Sequence, residues 1–451
     1  MSAAVVEENR GSRINPPPQV LDIAARLERA GFETWCVGGA VRDALLGKPH
    51  LDWDLATAAR PEQVMALFKR TVPVGVEFGT VGVLDRDGTM HEVTTFRRDV
   101  LTDGRHAVVE FGASLHEDLA RRDFTINAMA YRPATGEFYD PFGGLQDLAQ
   151  GLVRAVGTPA ARMVEDRLRA LRALRFAARF GFTIEPETWA AVVASVPYLG
   201  RLSRERVREE LEKTMEQVRR PSSAMLLWRS SGALAALLPR LAGQPDYAFA
   251  AADYIGVPDA TRNPGLTLSR QRNRLATLFL GLAPRDANDT ARELRFSNRA
   301  TEWFTHAASV WLDLEQRLFA AAMDGWTDSQ VRRWVSRIGR TYFRDAFRVI
   351  YARWRAEAAV GVRLAPPLVG TSQLFRRALR AAYGEPISVA DLALGGEDLL
   401  EAGVPPGPAV GALLRSLLEK VLDDPSSNTR ERLMPIVRDW LLRQGAGDAK
   451  I

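Results

Sequence analysis

The sequence predicts an α+β head, a mixed sheet with helices, followed by an all-α remainder. Three observations carry this. A glycine pair, Gly38-Gly39, sits between an apolar strand and an amphipathic helix. Two β-rich runs flank an Asp-Gly turn, Asp85-Arg86-Asp87-Gly88. After about residue 150, strand signals fade and Ala, Leu, Arg and Glu recur at helical spacing.

In chain order, residues 20–30 read as a helix ended by Gly31. Strands are expected at 34–37 and 51–56, with a helix over 41–46 between them. Pro61 suits the first turn of a helix running to about residue 69. Residues 79–84 and 90–95 make the hairpin. Beyond it, the breaks at Pro221-Ser222-Ser223, Asn263-Pro264-Gly265 and Ala365-Pro366-Pro367 divide helical segments. The expected organisation is a mobile leader 1–18, a catalytic head 19–150, a helical neck 151–220, a body 221–350 and a tail 351–451.

A chain of 451 residues is too long for one ordinary domain. Its 46% hydrophobic and 25% charged residues are those of a soluble globular protein, and no apolar run is long enough to span a membrane. The leader lacks the apolar core of a signal peptide. Cys36 is the only cysteine, so no disulfide forms within the chain, which fits a cytoplasmic protein. Five scattered histidines give no zinc-site spacing. The net charge of +5 suits polyanionic partners or a basic, solubilising surface. No segment points to a stable protein partner.

The chemistry starts at Gly38-Gly39-Ala40-Val41-Arg42-Asp43 and Asp52-Trp53-Asp54. In a strand, residues i and i+2 share a face, so Asp52 and Asp54 project together. Paired carboxylates repel unless a cation sits between them, and Mg²⁺ is a hard ion that takes oxygen ligands. A glycine turn at a helix start suits phosphate. An Asp-x-Asp pair alone is more often a solvated loop. Glu92, in the hairpin strand, supplies the third acid that a two-metal site needs.

Downstream, Arg122, Asp123 and Asn127 suit phosphate and ribose, or else form a capped, charge-paired helix start. The run from Tyr139-Asp140 to Asp147-Leu148 reads as a structural turn. Residues 165–176 read as one helix on which Asp166 and Arg169 share a face, with Arg172 one step on. This is a salt-bridged solvent face, or a base reader. Arginine only donates hydrogen bonds and ionised aspartate only accepts them. Side by side they match the Watson–Crick edges of C and A, and oppose those of G and U.

These motifs resemble, in order, those of class II tRNA nucleotidyltransferases, the CCA-adding enzymes, and of bacterial poly(A) polymerases. Residues 38–57 are similar to motif A, 121–130 to motif B, 140–148 to motif C, 165–176 to motif D and 202–210 to motif E, which braces the motif D helix. The resemblance implies a polymerase β-like nucleotidyltransferase head with helical neck, body and tail. It implies that Asp52 and Asp54 bind Mg²⁺ with Glu92 assisting, and that Gly38, Gly39, Arg42, Arg122, Asp123, Asn127 and Arg172 hold the nucleotide. It implies that Asp166 and Arg169 read the base. Residues 98–110, including Asp99 and Arg105, resemble the flexible loop used in adding the terminal A. The implied function is addition of CCA to the tRNA 3′ end from CTP and ATP. An A-adding enzyme, a poly(A) polymerase and an inactive RNA-binding relative remain as alternatives.

Residues 331–355 interleave aromatic and basic groups: Arg332, Arg333, Arg337, Arg340, Arg344, Arg348, Arg353 and Arg355 among Trp334, Tyr342, Phe343, Phe347, Tyr351 and Trp354. At helical spacing the aromatics are expected in the core and the arginines outside, where they could follow an RNA backbone.

Overall fold

The head is built on β1 Thr34–Val37, β2 Asp54–Thr57, β3 Thr71–Gly75, β4 Thr80–Leu84, β5 Met90–Thr95, β6 Arg97–Thr102, β7 Ala107–Phe111, β8 Ala130–Arg132 and β9 Glu137–Tyr139. Seven of these form one mixed sheet in the order β3-β4-β5-β2-β1-β8-β9. The other two, β6 and β7, pair as a separate antiparallel ribbon. The structure is a computed structural model that describes residues 14–48, 53–102, 107–256, 264–365 and 367–447. Asp52, Arg105 and residues 1–13 of the expected leader lie outside the described residues. Ile14 is buried and the first helix, Pro18–Arg29, begins at Pro18.

Within the sheet only β2 and β5 run parallel. Cys36, Leu55, Val81 and Val93 alternate to one face and are fully buried. The helix Pro61–Leu67 packs on β4 and β5, and Pro18–Arg29 on β1. On the other face Trp35, Val37, Ala56 and Phe96 join Leu115 and Leu119 of the helix Leu115–Ala120. That helix starts on a capping box, with Ser114 accepting from Glu117 N–H and the Glu117 carboxylate accepting from Ser114 N–H.

The chain divides into two compact units, Met1–Ala242 and Gly243–Ile451. In the first, helices take over after β9, and two short strands, Leu152–Val153 and Thr183–Ile184, pair in parallel among them. All the regular elements in the described residues of the second unit are helices. Among the described residues no helix is long and apolar enough to cross a membrane.

In the second unit Trp334, Phe343 and Trp354 are buried as expected. The arginines depart from expectation. Arg332 and Arg353 are buried. Arg332 donates to the carbonyls of Leu422 and Asp423 and to Glu385. Arg333 pairs with Glu419 and Asp423, Arg340 with Asp391, and Arg353 with Glu357. Arg337, Arg344, Arg348 and Arg355 are exposed. Periodicity located the aromatic face, but it could not show that other elements bring carboxylates and helix-end carbonyls to Arg332, Arg333 and Arg340.

Candidate active site

Asp54 opens β2 and Glu92 lies in β5. Leu55 pairs with Val93 in parallel register, so the two acids, one residue earlier on each strand, stand side by side on the same face. Both line a cavity of about 750 Å³. Asp52 is not described, so the expected i, i+2 pair is seen only at Asp54. Among the described residues no group of three or more His, Cys, Asp or Glu side chains is placed to hold a metal. Two adjacent carboxylates, with a third acid two positions before Asp54 in the sequence, are nonetheless a hard-oxygen donor set that suits Mg²⁺. Burial, with the Asp54 charge adding to it, pushes the Cys36 thiol up to about 12, which leaves it a neutral core side chain.

The glycine pair shapes the cavity edge. Gly38 has φ +74°, in the left-handed region. A Cβ there would stand 2.9 Å from Arg122 Nη1 and 3.7 Å from Asp54 Oδ2. The missing side chain therefore lets the Arg122 guanidinium reach the carboxylate edge. Gly39 begins the helix Gly39–Leu45, which carries Arg42 into the same cavity.

Arg42 is almost fully buried, bonded to Asp43 at 2.7 and 2.8 Å and to the Asn127 side-chain oxygen. Its guanidinium lies 4.7 Å from the Phe180 ring centroid. The Asn127 amide donates to Asp123 Oδ1 at 2.9 Å, and Arg172 Nε and Nη2 both reach Asp123 Oδ2, at 2.8 and 2.7 Å. Burial alone would raise the Asp123 pKa. Arg172, Asn127 and the Phe124 N–H outweigh it and hold the carboxyl at about 2. Both oxygens of Asp123 are thus used to fix its neighbours. The expected helix start here is a short 3₁₀ turn, Thr125–Asn127. It is held from the motif C side by the bond from Thr125 Oγ1 to Asp147. Asp140 in turn accepts from the N–H groups of Gly144 and Leu145, at 2.8 Å each, and starts the helix Gly144–Gln150.

The opposite wall corrects the sequence reading. Residues 165–176 are not one helix: Pro159–Glu165 ends, Asp166 turns extended at φ −148° and ψ 106°, and Leu168–Phe180 begins. Asp166 Oδ1 accepts from Leu168 N–H at 3.0 Å, so the carboxylate competes with the helical backbone and breaks it. Its Oδ2 accepts from Arg206 at 2.7 Å. Arg169 donates to Glu165 at 2.6 Å, to the Arg162 carbonyl at 3.1 Å and to the Arg121 carbonyl at 2.9 Å. The side chains of Asp166 and Arg169 therefore line the cavity together, each held by other partners rather than by one another.

All the described residues expected at the site line this one cavity: Gly38, Gly39, Arg42, Asp54, Glu92, Arg122, Asp123, Asn127, Asp166, Arg169 and Arg172. Others were missed. Arg121 lines the cavity too, and the buried Asp118 grips both it and the expected Arg122, at the i−3 and i−4 spacing that could have revealed it. Arg175 and Arg179 continue the helical stripe of Arg172. Glu210 holds Arg175 at 2.8 Å, and Gln217 accepts from both Arg175 and Arg179. Arg206 and Lys213 line the cavity from the helix Arg204–Gln217; Arg206 lies in the stretch 202–210 that the resemblance named as a brace, but was not named as a site residue. Among the described residues nine basic side chains face four acids across this cavity, a balance suited to a polyphosphate.

The expected flexible loop is, in its described residues, the β6–β7 ribbon. Asp99 lies on β6 opposite Val109. Arg98 ties its base to Glu110 at 2.8 Å and to Glu117 at 3.5 Å.

Two family models match. "Poly A polymerase head domain" covers residues 34–154, and "Probable RNA and SrmB- binding site of polymerase A" covers 181–244. The CCA-adding enzyme of Limosilactobacillus fermentum is 36% identical over 430 residues, 93% of this chain and 96% of that one. The CCA-adding enzyme of Geobacillus stearothermophilus is 33% identical over 440 residues, 96% and 98% of the two chains. Among solved structures, Bacillus stearothermophilus CCA-adding enzyme in complex with CTP superposes with a TM-score of 0.74 at 30% identity, over 96% of this chain and all of that one. Thermotoga maritima CCA-adding enzyme complexed with tRNA_CCA shares the fold, at a TM-score of 0.62 and 22% identity over 94% and 96% of the chains. With that identity running almost end to end over a head that gathers the motif residues into one cavity, the chain belongs to the family of CCA-adding enzymes.

Proposed function

We propose that the protein adds CCA to the 3′ end of tRNA, taking CTP and then ATP and releasing pyrophosphate. The observation that carries this is one cavity with Asp54 and Glu92 on one wall, Asp166 and Arg169 on the other and basic side chains between. Asp54 and Glu92, with Asp52, are the residues to hold Mg²⁺, which when bound supplies charge stabilisation at the reacting phosphate. The head, 19–150, is read as catalytic, the neck, 151–220, as the base reader, and the body and tail as carriers of tRNA contacts, all in the cytoplasm.

The chain's own residues account for nucleotide choice. An ionised carboxylate has about four acceptor sites and a guanidinium has five N–H donors. Asp166 gives one site on each oxygen to Leu168 and Arg206. Arg169 gives both Nη1 hydrogens and one on Nη2 to Glu165, Arg162 and Arg121. What is left is acceptor capacity on Asp166, and Nε–H and one Nη2–H on Arg169. That pair accepts the amino group and donates to the ring nitrogen of C or A. G and U would leave both groups unpaired, which is costly in a desolvated pocket. Arg42, Arg122 and Arg172 suit the phosphates and sugar, held in place through Asp43, Asp118 and Asp123.

The test is incubation with tRNA lacking CCA in the presence of CTP alone, ATP alone, or both. The expected products are CC, no extension, and CCA with arrest. Extension by ATP only on tRNA already ending in CC would make it an A-adding enzyme. Unlimited extension with ATP would make it a poly(A) polymerase, and tight tRNA binding without transfer an inactive relative.

A further inference from the structure

The sheet face that carries the two carboxylates continues outward as an apolar strip. One row of residues crosses five strands: Val37 pairs with Asp54, Asp54 stands beside Glu92, Glu92 pairs with Gly82, and Gly82 pairs with Val72. Paired residues share a face, so all five lie on the Asp54 side of the sheet. At about 4.8 Å per strand, Val72 is roughly 10 Å from Glu92. Gly82 is bare because its neighbours cover it. A Cβ there would stand 2.6 Å from Met90 Sδ and 3.0 Å from Val74 Cγ2. Met90, two residues before Glu92, thus folds over Gly82 to meet Val74. Phe78, from the 3₁₀ turn Val76–Phe78, borders them, 3.8 Å from the Cβ position of Gly75. Val72, Val74, Phe78 and Met90 are 38–45% exposed. Arg97 donates to the Phe78 carbonyl, which ties the strip to the base of the β6–β7 ribbon.

The strip is not an edge for strand addition. β3 is the sheet edge, but it is five residues long and carries Pro73, which has no N–H to donate. The direction of the strip decides its occupant. The polyphosphate cavity runs from the carboxylates toward Gly38, Gly39 and the neck. A second reactant has to bring its hydroxyl to the same carboxylates from the side the triphosphate leaves open, which is the β5–β4–β3 side. The unpaired end of an RNA presents flat apolar base faces, and such faces settle on aromatic and thioether side chains.

We propose that Val72, Val74, Phe78 and Met90 form the platform on which the single-stranded 3′ end of the RNA lies while its terminal hydroxyl reaches Asp54 and Glu92. The proposal rests on the function assigned above, and the platform residues position the primer without touching the reacting atoms. The test is the triple variant Val74→Ser, Phe78→Ser, Met90→Ser, with Val74→Ser and Phe78→Ser alone as milder versions should the triple variant melt early. The KM for tRNA lacking CCA should rise about tenfold, the scale of one lost base stack, while the KM for CTP stays within about twofold. A 2-aminopurine placed as the primer's last base should be quenched on binding to the wild type and not to the variants. An unchanged KM for tRNA with unchanged quenching, or an equal rise in the KM for CTP, would overturn the platform. A wild-type protein that binds and quenches the primer but transfers nothing would overturn the function and leave the platform standing.

Discussion

Two stretches of the chain share a character, residues 162–179 in the first unit and residues 331–355 in the other: both are largely helical and rich in arginine. They use arginine differently. Arg169 and Arg172 are held by acceptors of the protein yet still face an open cavity. Arg332 spends its donors on Leu422, Asp423 and Glu385, where it closes the C-terminal end of the helix Pro408–Asp423. The lesson is that an arginine's role follows from which of its donors the fold leaves uncommitted. Charge and periodicity alone do not reveal that.

The sharpest way to break the comparison is to remove the chemistry from one unit and leave the fold alone. Asp54→Ala should reduce nucleotide transfer by about three orders of magnitude or more, with Tm within about 2 °C of wild type. Chelation of divalent ions by EDTA should do the same to the wild type. Retained transfer in the variant, measured by primer extension, would remove Asp54 from the reaction.

Matched arginine deletions come next. Arg172→Ala should cost about 100-fold in transfer, the scale of a lost charge-assisted contact in the transition state. Arg332→Ala should leave transfer within about twofold and lower stability by about 2 kcal/mol, because two helix-end carbonyls lose their donor. Thermal melts and extension rates on the same preparations would show whether the two losses stay apart. If Arg332→Ala proved the less active of the two, the division of labour would be wrong.

Acidity separates the units less strongly. Asp123 is held at about 2 although burial alone would raise it. A depressed folded pKa contributes stability that is complete above the ordinary carboxylate range and lost as pH falls from about 4 through 2. The shift corresponds to about 2 kcal/mol. Asp391 in the second unit is also held at about 2, against the burial effect, by Arg340, Ser388 and backbone N–H groups. Its side chain is the more exposed of the two, 21% against 10%, so its share should be smaller. Melts from pH 5 to pH 2 should fall less steeply for Asp123→Asn than for the wild type, with Asp391→Asn between them. Equal slopes for all three proteins would count against both carboxylates.

How much of this was legible in the sequence follows from the range of each interaction. β1, the hairpin β4–β5 and the helix at Pro61 could be read because turns and alternation are local. The site residues could be named because their motifs stand in order. The break at Asp166 could not. Glu165 and Arg169 keep helical spacing across it, while the Asp166 carboxylate takes the Leu168 N–H that a continuous helix would have used. The resemblance named residues 202–210 as a brace for this segment, but not that Arg206 takes hold of Asp166 itself, and nothing showed the pinning of Arg332 by a helix ninety residues on. Those depend on which helices meet, which no local pattern encodes.

The smallest effect sharpens the comparison most. In the second stretch Arg344, Arg348 and Arg355 are exposed and fall at i, i+4 and i+11 of the helix Phe343–Ala359, a spacing that returns to one face. Arg353 on the same helix, and Arg332 on the helix Asp328–Ile338, are buried and paired. If exposed donors are what RNA reads, these three should register in binding and the buried two should not. Each phosphate contact contributes roughly 0.7–0.9 to the slope of log K against log salt. Replacing all three by Gln should therefore flatten the slope for tRNA by up to about 2.7 and weaken binding uniformly across tRNA sequences, with no change in which nucleotide is added. Arg332→Gln should leave the slope alone while lowering Tm. A slope unchanged by the triple replacement would mean that this stripe is a solvated surface, and that the basic character of the second unit serves its own packing.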